Sequence, residues 1–165
     1  MNDRENKVLT HSGKLVNVID PDPDTISILD IAHALGNQCR FGGHTKMFYS
    51  VAQHSILVAS AVPDEYKFAA LMHDASEAYL IDLPRPVKRL LPYYEKLEYN
   101  MMRCIADKYG FAWPMPQVVQ EADDSVLELE IRAVMAGEWP SPIRKMTVPG
   151  FKFLERFYDL MRPIK

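Results

Sequence analysis

Apolar residues recur along most of this chain at the three- and four-residue spacing of an amphipathic helix, and only near its start do they follow a strand pattern. Val8-Leu9 and Leu15-Val16 flank Ser12-Gly13, which predicts a short β-hairpin. Asp20-Pro21-Asp22-Pro23-Asp24 then breaks the chain ahead of a first helix, with Asp24 or Thr25 as its cap. Its stripe is Ile28, Ile31, Ala32, Leu35 and Cys39, and Gly36 and Gly42-Gly43 bracket its end. A second helix is expected from Ser50 to Ala61, with Val51, Ser55, Val58 and Val62 along one side. A third follows from about Asp64 through Leu80, carried by Phe68, Leu71, Met72, Ala75 and Tyr79.

Leu83-Pro84-Arg85-Pro86 forces an extended turn, because each proline fixes its own φ and restricts its predecessor. The next helix spans Pro92 to Tyr109, buries Leu97, Met101, Cys104 and Ile105, and meets Gly110 in the C-terminal capping position. Pro116 opens another, through Val119, Ala122, Val126, Leu129 and Ala133 to Met135. Gly137 to Gly150 reads as irregular, and an aromatic helix from Phe151 to Met161 docks on the body. The pattern predicts one all-α domain over residues 1–165, a compact helical bundle with a short N-terminal β-hairpin.

Composition narrows the partners. A net charge of -3 removes the electrostatic case for a nucleic acid polymer, whereas a small phosphorylated molecule needs only a few local cations. Cys39 and Cys104 are too few for a disulfide framework and read as buried, reduced thiols. No basic stretch leads into an apolar one at the start, and no long apolar run occurs. A cytoplasmic protein without a membrane partner is therefore expected.

Within this frame a few polar residues stand out. His73, Asp74 and Glu77 share one side of the third helix, an arrangement that is ordinarily a solvated face. His54, however, sits between Val51 and Val58 on the apolar side of the second helix, which a short turn places antiparallel to the third. Asp123, between Val119 and Val126, faces inward, where an unpaired carboxylate is costly and a metal ion is an efficient partner. Asp124 reads as a solvated edge charge. Glu130 also faces inward and needs a cation, Arg132 or Arg103. Two histidines and two carboxylates from three helices form a mixed nitrogen and oxygen set. Such a set suits a divalent transition metal and leaves positions for water.

These residues resemble the H…HD…D signature of the HD-domain phosphohydrolase superfamily, in His54, His73-Asp74 and Asp123. The similarity extends through Cys39-Arg40-Phe41-Gly42-Gly43-His44, Val51-Ala52-Gln53-His54-Ser55, His73-Asp74-Ala75-Ser76-Glu77-Ala78 and Asp82-Leu83-Pro84-Arg85-Pro86-Val87-Lys88. Those stretches look like the branch of 5′-deoxynucleotidases and small phage HD hydrolases, including dATP triphosphohydrolases. Two departures stand out: Phe41 where that branch would have tryptophan, and Gln53 where it would have glutamate.

The resemblance implies hydrolysis of a 2′-deoxynucleotide at its 5′ C–O–P linkage, releasing phosphate from a monophosphate or tripolyphosphate from a triphosphate. It implies a divalent cation (Zn2+, Co2+, Mn2+, Ni2+ or Mg2+) on His54, His73, Asp74 and Asp123, with room for additional ions, and a homo-oligomer. Glu77 would orient or deprotonate the attacking water, and Asp82 would contact the 3′-hydroxyl of deoxyribose. Arg40 and Lys88 would neutralise phosphoryl charge, Phe41 would stack on a base, and His44 would touch phosphate or sugar. Lys46, Tyr49, Arg85 and Pro86 are further candidates for the pocket lining. The competing classes are a non-catalytic nucleotide-binding regulatory module, which loss of a ligand would favour, and a metal-dependent phosphodiesterase, which a long positive groove would favour.

Overall fold

A computed structural model describes residues 5–140 and 148–161. The hairpin forms where the alternation placed it. β1 (Lys7–Leu9) and β2 (Leu15–Asn17) pair antiparallel, with Val8 opposite Val16. Gly13 takes φ +85° in the turn, a conformation that costs glycine nothing. The neighbouring Ser12 donates from its amide and its hydroxyl to the buried Asp30 carboxylate, at 2.7 Å each, and so fastens the hairpin to the helical body.

That body is all-α. Its helices are α1 (Ile28–Asn37), α2 (Val51–Ser60), α3 (Lys67–Met72), α4 (Glu77–Leu80), α5 (Arg85–Lys88), α6 (Pro92–Tyr109), α7 (Gln117–Ala136) and α8 (Pro149–Met161). Leu35, Tyr49, Leu71, Met72, Met101, Ile105, Val119, Val134 and Phe153 form one buried core. α8 lies across α1, α2 and α3, sinking Phe153 and Phe157. α2 packs on α3 and α7, which are the contacts that matter for the site. Among the described residues no helix is long and apolar enough to cross a membrane.

Several elements depart from the periodic pattern, each for a local reason. The first helix starts at Ile28, because Pro23–Thr25 closes into a tight turn whose Asp24 amide donates to the Asp22 carboxylate. Gly36 does not end α1 but lies inside it, where α8 crosses. A Cβ on Gly36 would lie 2.6 Å from the Gly150 amide, and one on Gly150 would lie 2.4 Å from the Ala32 carbonyl oxygen. Cys39 is exposed in an extended segment bridged to Ser50, so only Cys104 is the expected buried thiol. Leu129 is 52% exposed, one position off the buried line of Val119, Ala122, Val126 and Glu130. The last helix begins at Pro149, and residues 141–147 of the stretch read as irregular lie outside the described residues.

The largest departure lies at the third helix. Residues 64–80 do not form one continuous α-helix. α3 stops at Met72, and the backbone passes His73 to Ser76 on tight bonds three residues apart, from Ala75 to Met72 and from Glu77 to Asp74, before α4 begins. This narrower winding turns successive side chains by a larger angle than an α-helix does.

The α1–α8 crossing tolerates no side chain at either glycine. Gly150→Ala should cost about 1–3 kcal/mol through overpacking. That would lower the melting temperature by roughly 2–10 °C, read from a thermal unfolding curve. An unchanged melting temperature would show that the two helices are not in backbone contact.

Candidate metal centre

His54, His73 and Asp123 arrive from α2, the α3–α4 turn and α7, and each offers one ligand atom, all within 4.8 Å of one another. α2 is held in place by a capping box. The Ser50 hydroxyl accepts from the Gln53 amide at 3.2 Å, and the Gln53 side-chain oxygen accepts from the Ser50 amide at 3.0 Å. One residue beyond Gln53, His54 points inward and is fully buried. Gln53 thus serves the helix start, a task its amide performs without adding a charge to the core.

The distances have the scale of a coordination shell. His54 Nε2 lies 3.0 Å from Asp123 Oδ1, 3.2 Å from His73 Nε2 and 3.4 Å from Asp74 Oδ2. His73 Nε2 lies 3.2 Å from Asp74 Oδ2 and 3.8 Å from Asp123 Oδ1. Ligand atoms about 2.1 Å from one ion, at right to tetrahedral angles, stand roughly 3.0–3.4 Å apart.

The outer nitrogens set the imidazoles up for this. His54 Nδ1 is 2.7 Å from the Glu130 carboxylate, and His73 Nδ1 is 2.7 Å from the Ala70 carbonyl oxygen. Both partners accept, so each ring carries its proton on Nδ1 and directs the Nε2 lone pair into the cluster. Two such lone pairs facing each other among carboxylate oxygens repel unless a positive charge lies between them. Burial lowers the pKa of His73, but Asp74 and Asp123 outweigh it and raise it to about 9, so the cluster retains a proton when nothing else supplies the charge.

Behind the cluster stands Glu130, fully buried on α7. Its Oε1 accepts from the Tyr49 hydroxyl at 2.8 Å and meets His54, and its Oε2 accepts from Arg40 Nη2 at 3.0 Å. The partner is therefore Arg40, not Arg132 or Arg103. Arg132 is exposed and, among the described residues, pairs with Glu128 at 3.9 Å. Burial pushes Glu130 up, but its contacts with His54, the Arg40 guanidinium and the Tyr49 hydroxyl outweigh that and hold it below the usual carboxylate range.

Comparison with known proteins bears on this arrangement only through relatives. The chain is 42% identical over 168 residues to the uncharacterized protein YfdR of Escherichia coli, covering 93% of this chain and 94% of that protein. The chain belongs to the YfdR family. It is also 36% identical over 121 residues to an uncharacterized protein of Rhodobacter capsulatus, covering 67% of this chain and 62% of that protein. No family model matches.

In this YfdR-family chain the other expected site residues divide into two groups. Arg40, Phe41, Glu77, Asp82, Arg85, Pro86 and Lys88 all line a cavity of about 300 Å³ that also touches Asp74 and Asp123. Glu77 is buried, its Oε2 has no hydrogen-bond partner among the described residues, and its Oε1 lies 3.8 Å from Lys88. Burial, with Asp74 and Asp82 close by, pushes Glu77 well above the usual carboxylate range. His44, Lys46 and Tyr49 do not line that cavity. His44 and Lys46 are exposed, and Tyr49 is buried against Glu130. The cations are also less free than expected. Lys88 pairs with Glu98 at 2.6 Å, and Arg85 pairs with Asp123 and with Asp124, which is therefore not a merely solvated charge.

Two positioning residues escaped the sequence reading. Gln38 donates to the Glu77 carbonyl at 2.9 Å and accepts from the Asp82 amide at 3.0 Å, pinning both ends of the segment that carries Glu77 and Asp82. Tyr94 donates to the Leu80 carbonyl at 3.1 Å and also reaches that of Ile81, a β-branched residue held at φ +70°. Phe41, at φ +57°, is the second such position on this rim. Strain of this kind costs about 1–3 kcal/mol per residue and needs a surrounding structure that enforces it. Neither role has a sequence signal beyond a glutamine following a helix and a tyrosine near the start of one.

Removing the Glu130 carboxylate leaves Arg40 buried without its closest partner and His54 without an acceptor. Glu130→Ala should cost about 3–5 kcal/mol, measured by urea denaturation. Glu128→Ala, on the exposed side of the same helix, should change stability by less than about 0.5 kcal/mol. Equal effects at the two positions would remove Glu130 from its central place.

Proposed function

We propose that this chain is a metal-dependent phosphohydrolase that cleaves 2′-deoxynucleotides at the 5′ C–O–P linkage. The observation that carries this reading is that Asp123 of the His54–His73–Asp123 cluster, with Asp74 beside it, lines a cavity together with Glu77, Arg40 and Lys88. A ligand set of two neutral imidazoles and two carboxylates fits a divalent ion. Bound there, such an ion would supply a water of lowered pKa and a polarised phosphoryl oxygen.

The chain's own groups account for the remaining needs of the reaction. Glu77 lines the cavity beside Asp74; burial and the neighbouring Asp74 and Asp82 favour its protonated form, and a cation bound at the cluster would offset those charges and free its carboxylate to take a proton from the attacking water. Arg40 and Lys88 oppose the charge that accumulates on the phosphoryl oxygens. Asp82, with its amide fixed by Gln38, presents a carboxylate as acceptor for a sugar hydroxyl. The pairing of Arg40, Lys88 and Arg85 with carboxylates leaves little surplus positive charge, which favours phosphate release from a monophosphate over tripolyphosphate release from a triphosphate. The bounded cavity suits a small molecule rather than a polymer, and a homo-oligomer remains part of the proposal through the family resemblance.

The test is a panel of the four dNMPs and four dNTPs with Mn2+, Co2+, Zn2+ or Mg2+, scoring phosphate and tripolyphosphate separately. Wild-type protein should release phosphate, His73→Ala and Asp74→Ala should lose the metal and the activity together, and Glu77→Gln should keep its metal while kcat falls by about 10²–10⁴. Bound metal with no turnover of any of the eight compounds would replace the enzyme reading with that of a binding module.

A further inference from the structure

The cluster borders a second, larger cavity that the reading above does not use. It has a volume of about 530 Å³ and shares Asp74, Arg85, Lys88 and Asp123 with the first, and its remaining walls come from His73 and Ser76 of the α3–α4 turn, from α6 and α7, and from the segment between those two helices. This size falls within the range of small-molecule sites, roughly 300–1,000 Å³.

Its chemistry is specific. Tyr99 and Trp113 stand with ring centroids 5.6 Å apart, inclined at 53°, and Met102, Met115 and Val119 complete an apolar wall. The cations on this side are already matched, Lys88 by Glu98 at 2.6 Å and Arg85 by Asp123 and Asp124 at 2.7 Å each, and Glu95 adds a further carboxylate. A polyphosphate chain would meet more negative than positive charge there. A flat, uncharged ring would meet aromatic and thioether surface instead.

We propose that this cavity is a binding site for a neutral planar heterocycle, a nucleobase, seated against the rings of Trp113 and Tyr99. The ring belongs either to the nucleotide being hydrolysed or to a second nucleoside bound beside it. Both place the same chemistry against the same wall. The kinetic assignment of the source rests on the phosphohydrolase reading; the binding itself does not.

Trp113 is one of two tryptophans in the chain, so Trp139→Phe leaves it as the sole indole reporter. In that background, deoxyadenosine should quench Trp113 emission saturably, inorganic tripolyphosphate should not, and Gln120→Phe, which fills the cavity from its exposed rim, should weaken the deoxyadenosine response at least tenfold. No saturable quenching, quenching by tripolyphosphate instead, or an unchanged response in Gln120→Phe would each overturn the site. During dAMP hydrolysis, a rise in KM alone with added deoxyadenosine assigns the ring to the substrate, and a change in kcat assigns it to a second molecule. No kinetic effect at concentrations that saturate the quenching would remove the site from beside the cluster. Absence of dAMP hydrolysis with the fluorescence response intact would count against the phosphohydrolase reading alone.

Discussion

The inward nitrogen of His73 and the carboxylate oxygens of Asp74 and Asp123 stand 3.0–3.4 Å from the inward nitrogen of His54, and that arrangement needs a positive charge at its centre. The requirement is electrostatic rather than a matter of motif. Each histidine spends its Nδ1 proton on a fixed acceptor, so its inward nitrogen is a lone pair facing other lone pairs. Within a low-dielectric interior such repulsion is large, and only a proton or a metal ion relieves it.

Glu130 transmits the demand to the rest of the molecule. By gathering Tyr49, His54 and Arg40 it joins the segment before α2, α2 itself and the turn after α1 to the core-facing side of α7. A buried ion pair is weak evidence for stability in itself, because desolvation offsets much of the attraction. Here its evident effect is positional, since it orients one imidazole and holds Arg40 at the edge of the adjoining cavity.

The sequence made the helices legible where an apolar stripe and a cap agreed. α6 runs from Pro92 to Tyr109 and ends at Gly110 as the pattern required, because proline, stripe and glycine all pointed the same way. The inward direction of His54 and Asp123 was legible for a related reason: each lay one turn from valines that had to be buried. The break at residues 73–76 was not, because tight i to i+3 winding leaves the apolar spacing nearly intact over one turn. Nor was the partner of Glu130, since Arg40 lies 90 positions away in the chain and spacing reports only local neighbours. The Gly36–Gly150 contact was hidden for the same reason, as Gly36 alone looked like a helix terminator and Gly150 like the end of an irregular stretch.

The most direct test of the central claim is X-ray absorption spectroscopy on the protein titrated with one equivalent of Co2+ or Mn2+. The account predicts a first shell of mixed nitrogen and oxygen at about 2.0–2.2 Å, with outer-shell scattering from two imidazoles that falls to one in His54→Ala or His73→Ala. A shell made only of oxygen, without imidazole scattering, would contradict it.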